Sequence, residues 1–331
     1  MQLAWLLLQF ALCASLIAVA GHALTRSADR ISRATGLPGG WLGLALLATV
    51  TSLPELASGV ASVTWVDAPN LAVGNALGAC VFNLLFLAIA DALQREPPLY
   101  LQAGADHLLS AAFGIVLLGL VALSLLLGER APALRHVGAY SPLLLGLYLL
   151  ALRTVHAHEA HQTLQAPNGT GGHADPREWR VVVPAALAVL AAGLWLPQVA
   201  NGLAIELQWS RSFVGTLFMA LATTLPEAAV TLSALRLRAV DLAVGNLLGS
   251  NLFNVVVLAV DDAVYTSGPL LRVAAPVHAA TATVAIVMTA LVMVGLLVRP
   301  RGRVLRLASW VSFGLVALYL LNAALHRLQG A

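Results

Sequence analysis

The sequence ATVTSLPELASGV, residues 48–60, recurs in altered form as ALATTLPEAAVTL, residues 220–232. Each copy places a proline and a glutamate together inside an apolar run, although a helix breaker and a buried charge are both unfavourable there. A second matching pair follows, NLAVGNALGACVFNLLF at 70–86 and DLAVGNLLGSNLFNVVV at 241–257. Shared apolar composition accounts for the leucines and alanines, but not for LPE, AVGN and FN recurring in the same order. The chain therefore contains an internal repeat.

Composition places both copies of the repeat in a membrane. Of the 331 residues 60% are hydrophobic and 10% are charged, whereas soluble domains have about 25% charged residues. All 18 basic residues are arginines, so a P-loop lysine and Schiff-base chemistry are both excluded. Cys13 and Cys80 lie in apolar runs and are expected to be buried thiols, not a disulfide. No nucleic-acid motif accompanies the net charge of +3, and we expect no nucleic-acid partner.

Ten apolar runs predict an all-α membrane protein with ten transmembrane helices. The longest polar break, residues 153–180, separates five runs from five. We therefore expect a first repeat at 1–152, a loop at 153–180 and a second repeat at 181–331. The first run lacks a positively charged start, so it is interpreted as a helix and not as a signal peptide. The predicted helices lie at about 3–25, 39–64, 69–92, 105–127, 134–152, 180–205, 212–235, 239–262, 270–297 and 304–324.

The arginines predict the orientation of these helices, because loops rich in Arg and Lys stay in the cytoplasm. Loops on one side carry all arginines except five, which are Arg130, Arg135, Arg211, Arg272 and Arg327. The richer side is expected to be cytoplasmic, with both termini outside and the 153–180 loop inside. Since each half has an odd number of helices, the second half enters from the opposite side, which makes an inverted-topology repeat. Glu55 and Glu227 are then expected to meet near the bilayer midplane.

Two carboxylates at that depth must be neutralised, because a charge there costs at least about 2.5–3.5 kcal/mol on insertion scales. The predicted helices that carry the two motifs contain no Arg, Lys or His at comparable depth. Facing carboxylates repel each other, so one of them would tend to take up a proton. A divalent cation would instead neutralise both. The glutamate pair thus predicts a site for a proton or a cation.

The prolines and hydroxyls point to a cation bound by oxygen. Pro54 and Pro226 have no N–H, so each frees a backbone carbonyl one turn earlier, and irregular backbone is tolerated in a membrane where it lines an ion site. Oxygen-only coordination is typical of hard cations such as Ca²⁺ and not of Zn²⁺ or Cu⁺. Asn83 and Asn254 lie at a depth that could reach the glutamates. Hydroxyl donors flank the carboxylates at Thr51, Ser52, Thr223 and Thr224.

These motifs resemble the two α-repeats of the cation/Ca²⁺ exchanger superfamily, and within it the prokaryotic type of sodium/calcium exchanger family. The resemblance covers all ten predicted helices and is strongest at 48–91 and 220–262. It implies a secondary antiporter in the bacterial inner membrane that exchanges Ca²⁺ against Na⁺ by alternating access. It also implies no enzyme activity and no resident cofactor, since the ions are substrates. The implied ion ligands are Glu55 and Glu227 with the carbonyls of Thr51 and Thr223 for Ca²⁺, the carbonyls of Ala48 and Ala220 with the hydroxyls of Ser52, Thr224 and Ser250 for Na⁺, and Asn83 and Asn254 at the central plane.

One departure from the family pattern leaves the coupling ion open. The first repeat has Gly78-Ala79-Cys80 where the family has Gly-Ser-Asn, whereas the second repeat keeps Gly249-Ser250-Asn251. Ala79 lacks a hydroxyl, so fewer Na⁺ ions, or H⁺ in their place, are alternatives to three Na⁺ per Ca²⁺. The proton-coupled branch has an acidic residue after its G-N-A motif, and this chain has Leu77 there. A passive cation channel is the alternative from another class, and broken helices in an inverted repeat favour alternating access.

Three further features receive structural interpretations. Asp91 and Asp262 correspond through the repeat at helix ends, and anchoring at the membrane interface is favoured for them over ion binding. The histidines of residues 156–173 are expected in a solvated loop. The glycines of GNALG (74–78) and GNLLG (245–249) have the spacing that allows close helix packing. The oligomeric state does not follow from the sequence.

Overall fold

The computed structural model describes residues 1–35, 48–94, 98–163 and 176–329, and these are mainly helical. A small antiparallel hairpin joins β1 (Ala133–Leu134) to β2 (Val137–Gly138). The described residues include ten helices of at least twelve residues: α1 (Gln2–Thr35), α2 (Leu53–Thr64), α3 (Pro69–Leu93), α4 (His107–Leu127), α5 (Tyr140–Thr163), α6 (Pro176–Glu206), α7 (Leu225–Arg236), α8 (Val240–Val264), α9 (Val277–Val298) and α10 (Trp310–Gln329).

Short helical turns lie between these helices. The most important is the continuous segment before α7, which starts at Arg211, passes through a π-helical stretch at Val214–Met219 and ends at Ala220–Thr223. Two single turns, Leu99–Gln102 and Leu270–Val273, follow α3 and α8 at equivalent places in the two halves.

Among the described residues seven helices are long and apolar enough to cross a membrane, namely α1, α3, α4, α6, α8, α9 and α10. The segment Arg211–Thr223 and α7 together make an eighth if the 44° bend between them lies within one span. The protein is therefore an integral, multi-pass membrane protein. The sequence also predicts spans at 39–64, which lies partly outside the described residues, and at 134–152, which corresponds to α5.

The two helices that follow the glutamate motifs form the centre of the molecule. Residues buried by the rest of the protein make up 72% of the apolar window in α3 and 78% in α8, against 17% in α1. Helices α3 and α8 contact each other, and α2, α4, α7, α9 and α10 pack around them. Helix α1 packs along α6 on the outside of this group. The motif-bearing segments are thus enclosed by protein.

Close packing explains the paired glycines at the start of α3. A Cβ atom built on Gly78 would overlap the carbonyl oxygen of Thr216, and one built on Gly74 would lie 3.0 Å from the Thr216 nitrogen. The π-helical segment can therefore lie directly on α3, which fixes the position of the segment that leads to Glu227. In the second half a Cβ atom built on Gly249 would lie 3.3 Å from the Ala48 Cβ.

Several helix ends differ from the sequence prediction for local reasons. The helix predicted from 134 starts at Tyr140 because the hairpin occupies 133–138, and the helix predicted from 304 starts at Trp310 after a bridge between Val304 and Ala308. Pro276 separates the turn at Leu270–Val273 from α9, since a residue before proline avoids helical geometry. Helices α5 and α6 extend into the predicted 153–180 loop, whose middle lies outside the described residues.

Candidate functional site

The helix is interrupted in the same way at both glutamate motifs. Ser52 precedes α2 with φ −89° and ψ 12°, and Thr224 precedes α7 with φ −83° and ψ 5°. Pro54 and Pro226 then lie in the first turn of α2 and α7. A backbone N–H in a first turn has no partner within its own helix, so a proline there costs that helix no hydrogen bond. The two copies of the repeat therefore share one backbone geometry at this point.

Each break puts a glutamate in the first turn of a helix, where the helix dipole favours negative charge. Glu55 and Glu227 are both completely buried and lie close enough to interact electrostatically. The Ser52 hydroxyl donates to Glu227 Oε1 at 3.0 Å. In the described part of the chain the other three carboxylate oxygens receive no hydrogen bond. Buried acceptors without donors are costly unless they are neutralised, so these three oxygens are available to a cation or a proton.

Hydroxyl side chains of both motifs lie beside the carboxylates. Thr51 donates to the carbonyl of Ala48 at 3.1 Å, and its Oγ1 lies 3.4 Å from Ser250 Oγ. In the other copy Thr223 and Thr224 both donate to the carbonyl of Ala220, at 3.2 and 2.8 Å. All these residues are buried. These hydroxyls therefore donate hydrogen bonds to the carbonyls of Ala48 and Ala220, the two carbonyls that the family resemblance assigns to Na⁺.

The asparagines of α3 and α8 meet where these helices cross. Asn83 Nδ2 donates to Asn251 Oδ1 at 3.0 Å, and Asn251 Nδ2 donates to the Cys80 carbonyl at 3.3 Å. Within the described residues Asn83 Oδ1 and both amide atoms of Asn254 are buried without a partner. Asn251 is not among the predicted site residues. The sequence feature that could have identified Asn251 is the triplet Gly249-Ser250-Asn251, because only the second repeat keeps the asparagine there.

A second link that the sequence analysis does not predict runs through Asn75 of α3. Its Nδ2 donates to Ser58 Oγ at 2.9 Å, and its Oδ1 accepts from Thr223 Oγ1 at 3.1 Å. Asn75 therefore ties α2 to the segment before α7. The recurrence of AVGN was the available signal, although the sequence analysis drew only a packing role from its glycines.

Asp91 and Asp262 lie away from this cluster and hold helix ends together. Asp91 accepts from the backbone N–H of Leu99 and of Ser309, and from Ser312 Oγ. Asp262 accepts from Tyr140, from Ser141 Oγ and from the backbone of Leu270 and Gly138. These contacts hold helix ends together, and the anchoring at the membrane interface that the sequence favours stays a prediction. Each aspartate joins one half of the chain to the other.

The predicted histidine segment contributes no metal cluster within the described residues. His158 Nε2 lies 3.3 Å from Asp106 Oδ1 on a largely exposed pair, and His156 is also on α5. The side chain of His161, and all of His173, lie outside the described residues.

The arrangement as a whole is a buried cluster of oxygen atoms between α2, α3, α7 and α8. It combines two carboxylates, four motif hydroxyls, the Ser250 hydroxyl and three asparagine amides. Oxygen donors of this kind suit hard cations. The residues offer the charge and the donor atoms to hold such an ion.

Comparison with known proteins agrees with this chemistry. The family model described as sodium/calcium exchanger protein matches residues 5–155 and 179–325. The inner membrane protein YrbG of Escherichia coli (strain K12) is 28% identical over 282 residues, covering 77% of this chain and 78% of YrbG.

Solved structures show the same fold. The sodium-calcium exchanger NCX_Mj, soaked with Na⁺ and Sr²⁺, superimposes with a TM-score of 0.63 at 19% identity, covering 97% of this chain and 99% of NCX_Mj. Native YfkE superimposes with a TM-score of 0.66 at 16% identity, covering 96% of this chain and 92% of YfkE. At these identities the likeness concerns the fold alone.

Proposed function

The chain belongs to the family of sodium/calcium exchanger proteins, and we propose that it is an antiporter that exchanges Ca²⁺ against Na⁺ by alternating access. The observation that carries the proposal is the buried pair Glu55 and Glu227, of whose four carboxylate oxygens only one receives a hydrogen bond in the described part of the chain. Two carboxylates balance one divalent charge, and Ca²⁺ takes six to eight oxygen ligands.

In the proposed site Ca²⁺ lies between the two carboxylates and the backbone carbonyls of Thr51 and Thr223. Na⁺ ions bind the carbonyls of Ala48 and Ala220 with the hydroxyls of Ser52, Thr224 and Ser250. Asn83 and Asn254 line the central plane with unpartnered amide atoms.

Ion binding would require the hydroxyls to rearrange. The Ala48 and Ala220 carbonyls accept from Thr51, Thr223 and Thr224 hydroxyls. A cation at either carbonyl would displace these donors, because a hydroxyl binds a cation through its oxygen and points its hydrogen away. The hydroxyls therefore satisfy the carbonyls whenever the cation has left.

Alternating access is the proposed use of the repeat. The two halves, 1–152 and 181–331 with a cytoplasmic loop at 153–180, would form ten spans in inverted repeats, with both termini outside the inner membrane. The matching backbone breaks at Ser52 and Thr224 support a repeat that carries one half-site in each copy. The outer pair α1 and α6 can then slide past the central helices, as the family resemblance implies.

Transport assays in proteoliposomes test this proposal. We expect uptake of ⁴⁵Ca²⁺ to require Na⁺ on the opposite side, and to stop in Glu55→Gln and in Glu227→Gln. Uptake that proceeds without any counter-ion would identify a channel instead. Full activity in either glutamine variant would overturn the site assignment, and a panel of divalent cations would establish the preferred ion.

Exchange of Ca²⁺ against H⁺ is the second candidate. It is favoured by Ala79, which provides no hydroxyl where the second half has Ser250, and by the unpartnered oxygens of Glu55. The same assay with a pH gradient and no Na⁺ separates the two, since only H⁺ coupling would sustain uptake under those conditions.

A further inference from the structure

Asp261 of α8 is a buried carboxylate that the proposed site does not use. It is completely buried, and neither of its oxygens has a hydrogen-bond partner among the described residues. Its neighbour Asp262 accepts four hydrogen bonds. The anchoring role of Asp262 therefore does not extend to Asp261, which lies on a different face of the helix.

Asp261 lies directly against α2, one turn beyond Glu55. A Cβ atom built on Gly59 would overlap the Asp261 carboxylate, with its Oδ1 only 2.6 Å away. Gly59 follows Glu55 by four residues and so lies on the same face of α2, about 5.4 Å further along the axis. The absence of a side chain at Gly59 is what allows the carboxylate to approach this face.

The face of α2 that carries Glu55 and Gly59 is polar. Ser58 and Ser62 are both completely buried on it, and Asn75 donates to Ser58. Polar groups thus continue from Glu55 toward the end of α2 at Thr64. Ser58 and Ser62 donate to backbone carbonyls of α2 itself, so the buried carboxylate of Asp261 is the group that points to an ion pathway, as an ionisable residue inside a membrane protein does by default.

The equivalent path in the other half carries no carboxylate and no serine, and its one polar side chain is Thr231. The repeat places Val230, Thr231 and Ala234 at the positions of Ser58, Gly59 and Ser62, and Ala90 at the position of Asp261. Ala90 and Thr231 line a cavity of about 150 Å³, and the other side chains that line it are apolar. The repeat does not explain a carboxylate and two serines on one path only, so these residues are specific to that side of the protein.

We propose that Asp261 is an outer cation-binding residue, which takes up Na⁺ from the side of the membrane where α2 ends and passes it to the site at Glu55. One carboxylate balances one monovalent charge, which favours Na⁺ over Ca²⁺ at this position. The inference rests on the proposed function, because it assigns the side on which the coupling ion enters the same site.

The test compares Na⁺ dependence on the two sides of proteoliposomes with uniformly oriented protein. Asp261→Asn keeps the shape of the side chain and removes its charge. We expect the half-saturating Na⁺ concentration to rise about tenfold when Na⁺ is on the side of the α2–α3 connection, the scale of losing one charged contact, and to stay within about twofold on the other side. Equal shifts on both sides, or none, would overturn the proposal.

A matched control lies at the equivalent position in the other half. Thr231→Val changes the residue that corresponds to Gly59, and we expect no change in Na⁺ dependence on either side. Gly59→Ala is the second variant, since its methyl group would push the Asp261 carboxylate away. It should reproduce the one-sided shift while Asp261 is still present, and a Gly59→Ala protein with wild-type sidedness contradicts the proposal.

A binding measurement separates this inference from the proposed function. In the double variant Glu55→Gln/Glu227→Gln, Na⁺ should still raise the thermal unfolding temperature in detergent, and adding Asp261→Asn should make that rise clearly smaller. This readout needs no transport, so it stands even if the wild-type protein proves not to exchange Ca²⁺ against Na⁺. A rise of the same size in the double and the triple variant would rule out Asp261 as a ligand.

Discussion

The two halves of the protein are alike at their helix ends and unlike at their centre. Asp91 and Asp262, 171 residues apart, each cap the turn that follows their own helix and bind the start of a helix in the other half. The partners also correspond, since Ser141 and Ser312 are again 171 residues apart. The scaffold has therefore kept the contacts that hold the halves together.

The centre differs because corresponding hydroxyls bind different acceptors. Ser52 donates to Glu227, but its counterpart Thr224 donates to the Ala220 carbonyl of its own segment, four residues earlier. Threonine in a helix commonly bonds back in this way. Glu55 is consequently left without the hydrogen bond that its counterpart receives.

Two further substitutions increase the asymmetry. Ser250 lies 3.4 Å from Thr51, whereas Ala79 at the corresponding place offers Thr223 no oxygen, and Thr223 binds Asn75 instead. The comparison teaches that the protein orients one carboxylate and leaves the other free. Ser52 holds Glu227 Oε1, whereas within the described residues neither oxygen of Glu55 receives a hydrogen bond.

Exchange of the two glutamates for glutamine should have the largest effect. We expect Glu55→Gln and Glu227→Gln each to reduce Ca²⁺ transport by roughly 100-fold or more, since breaking a buried charge pair costs about 3–5 kcal/mol and each 1.4 kcal/mol is tenfold. Initial rates of ⁴⁵Ca²⁺ uptake in proteoliposomes measure the loss of transport. The two variants are then compared by their thermal unfolding temperatures without divalent cations.

Without divalent cations, Glu55→Gln should be the more heat-stable of the two variants. It removes an ionisable group that has no donor, a group whose burial costs about 1–3 kcal/mol. Glu227→Gln instead weakens the charge-assisted bond from Ser52. Equal stability of the two variants would break the comparison between an oriented and an unsatisfied carboxylate.

The shared anchors should behave alike, with a graded loss of stability. Asp262→Asn turns one acceptor atom into a donor that faces N–H and O–H groups, and hydrogen bonds to charged groups are worth about 1.5–3 kcal/mol each. We expect a clear fall in the thermal unfolding midpoint. Asp91→Asn should cost less, because it has three partners and one of them lies at 3.4 Å. Loss of transport with an unchanged midpoint would instead point to a role in ion binding.

The sequence predicts the family, the all-helical class and the places of the two aspartates at corresponding helix ends. Apolar length, the LPE repeat and the arginine distribution are local or composition-level signals, and they need no knowledge of contacts. The proline positions likewise predict where both helices break, since a proline affects its own backbone whatever the tertiary structure.

Contacts between the halves could not be predicted. That Ser52 binds the glutamate of the other copy, or that Asn75 joins Ser58 to Thr223, depends on how α2, α3 and α7 pack. Asp261 was missed for the same reason, because its distinction from Asp262 lies in its position against Gly59. Helix starts at Tyr140 and Trp310 also differ from prediction, because apolar residues continue into the hairpin and bridge that precede them.

The hydroxyls of the two breaks should differ in their effect on Ca²⁺ affinity. Ser52→Ala removes a charge-assisted bond to Glu227, so the half-saturating Ca²⁺ concentration should rise about tenfold. Thr224→Val removes a hydroxyl that binds only backbone carbonyls, and the rise should be smaller. Ser233→Ala in α7, whose hydroxyl also binds a backbone carbonyl but lies two turns from Glu227, is the control. Similar shifts for Ser52→Ala and Thr224→Val would show that the two halves bind Ca²⁺ symmetrically after all.

Restoring the missing hydroxyl should change coupling more than rate. Without an oxygen at Ala79 we expect two Na⁺ per Ca²⁺, so that wild-type exchange moves no net charge. Ala79→Ser would supply the counterpart of Ser250 beside Thr223 and admit a third Na⁺. One net charge then crosses per cycle, and a potential of 100 mV adds about 2.3 kcal/mol to the driving force. Reversal potentials in proteoliposomes measure the stoichiometry directly. A current with a three-to-one reversal potential in the wild-type protein would mean that another oxygen already replaces the absent hydroxyl, and that the asymmetry between the halves does not reach the number of ions they carry.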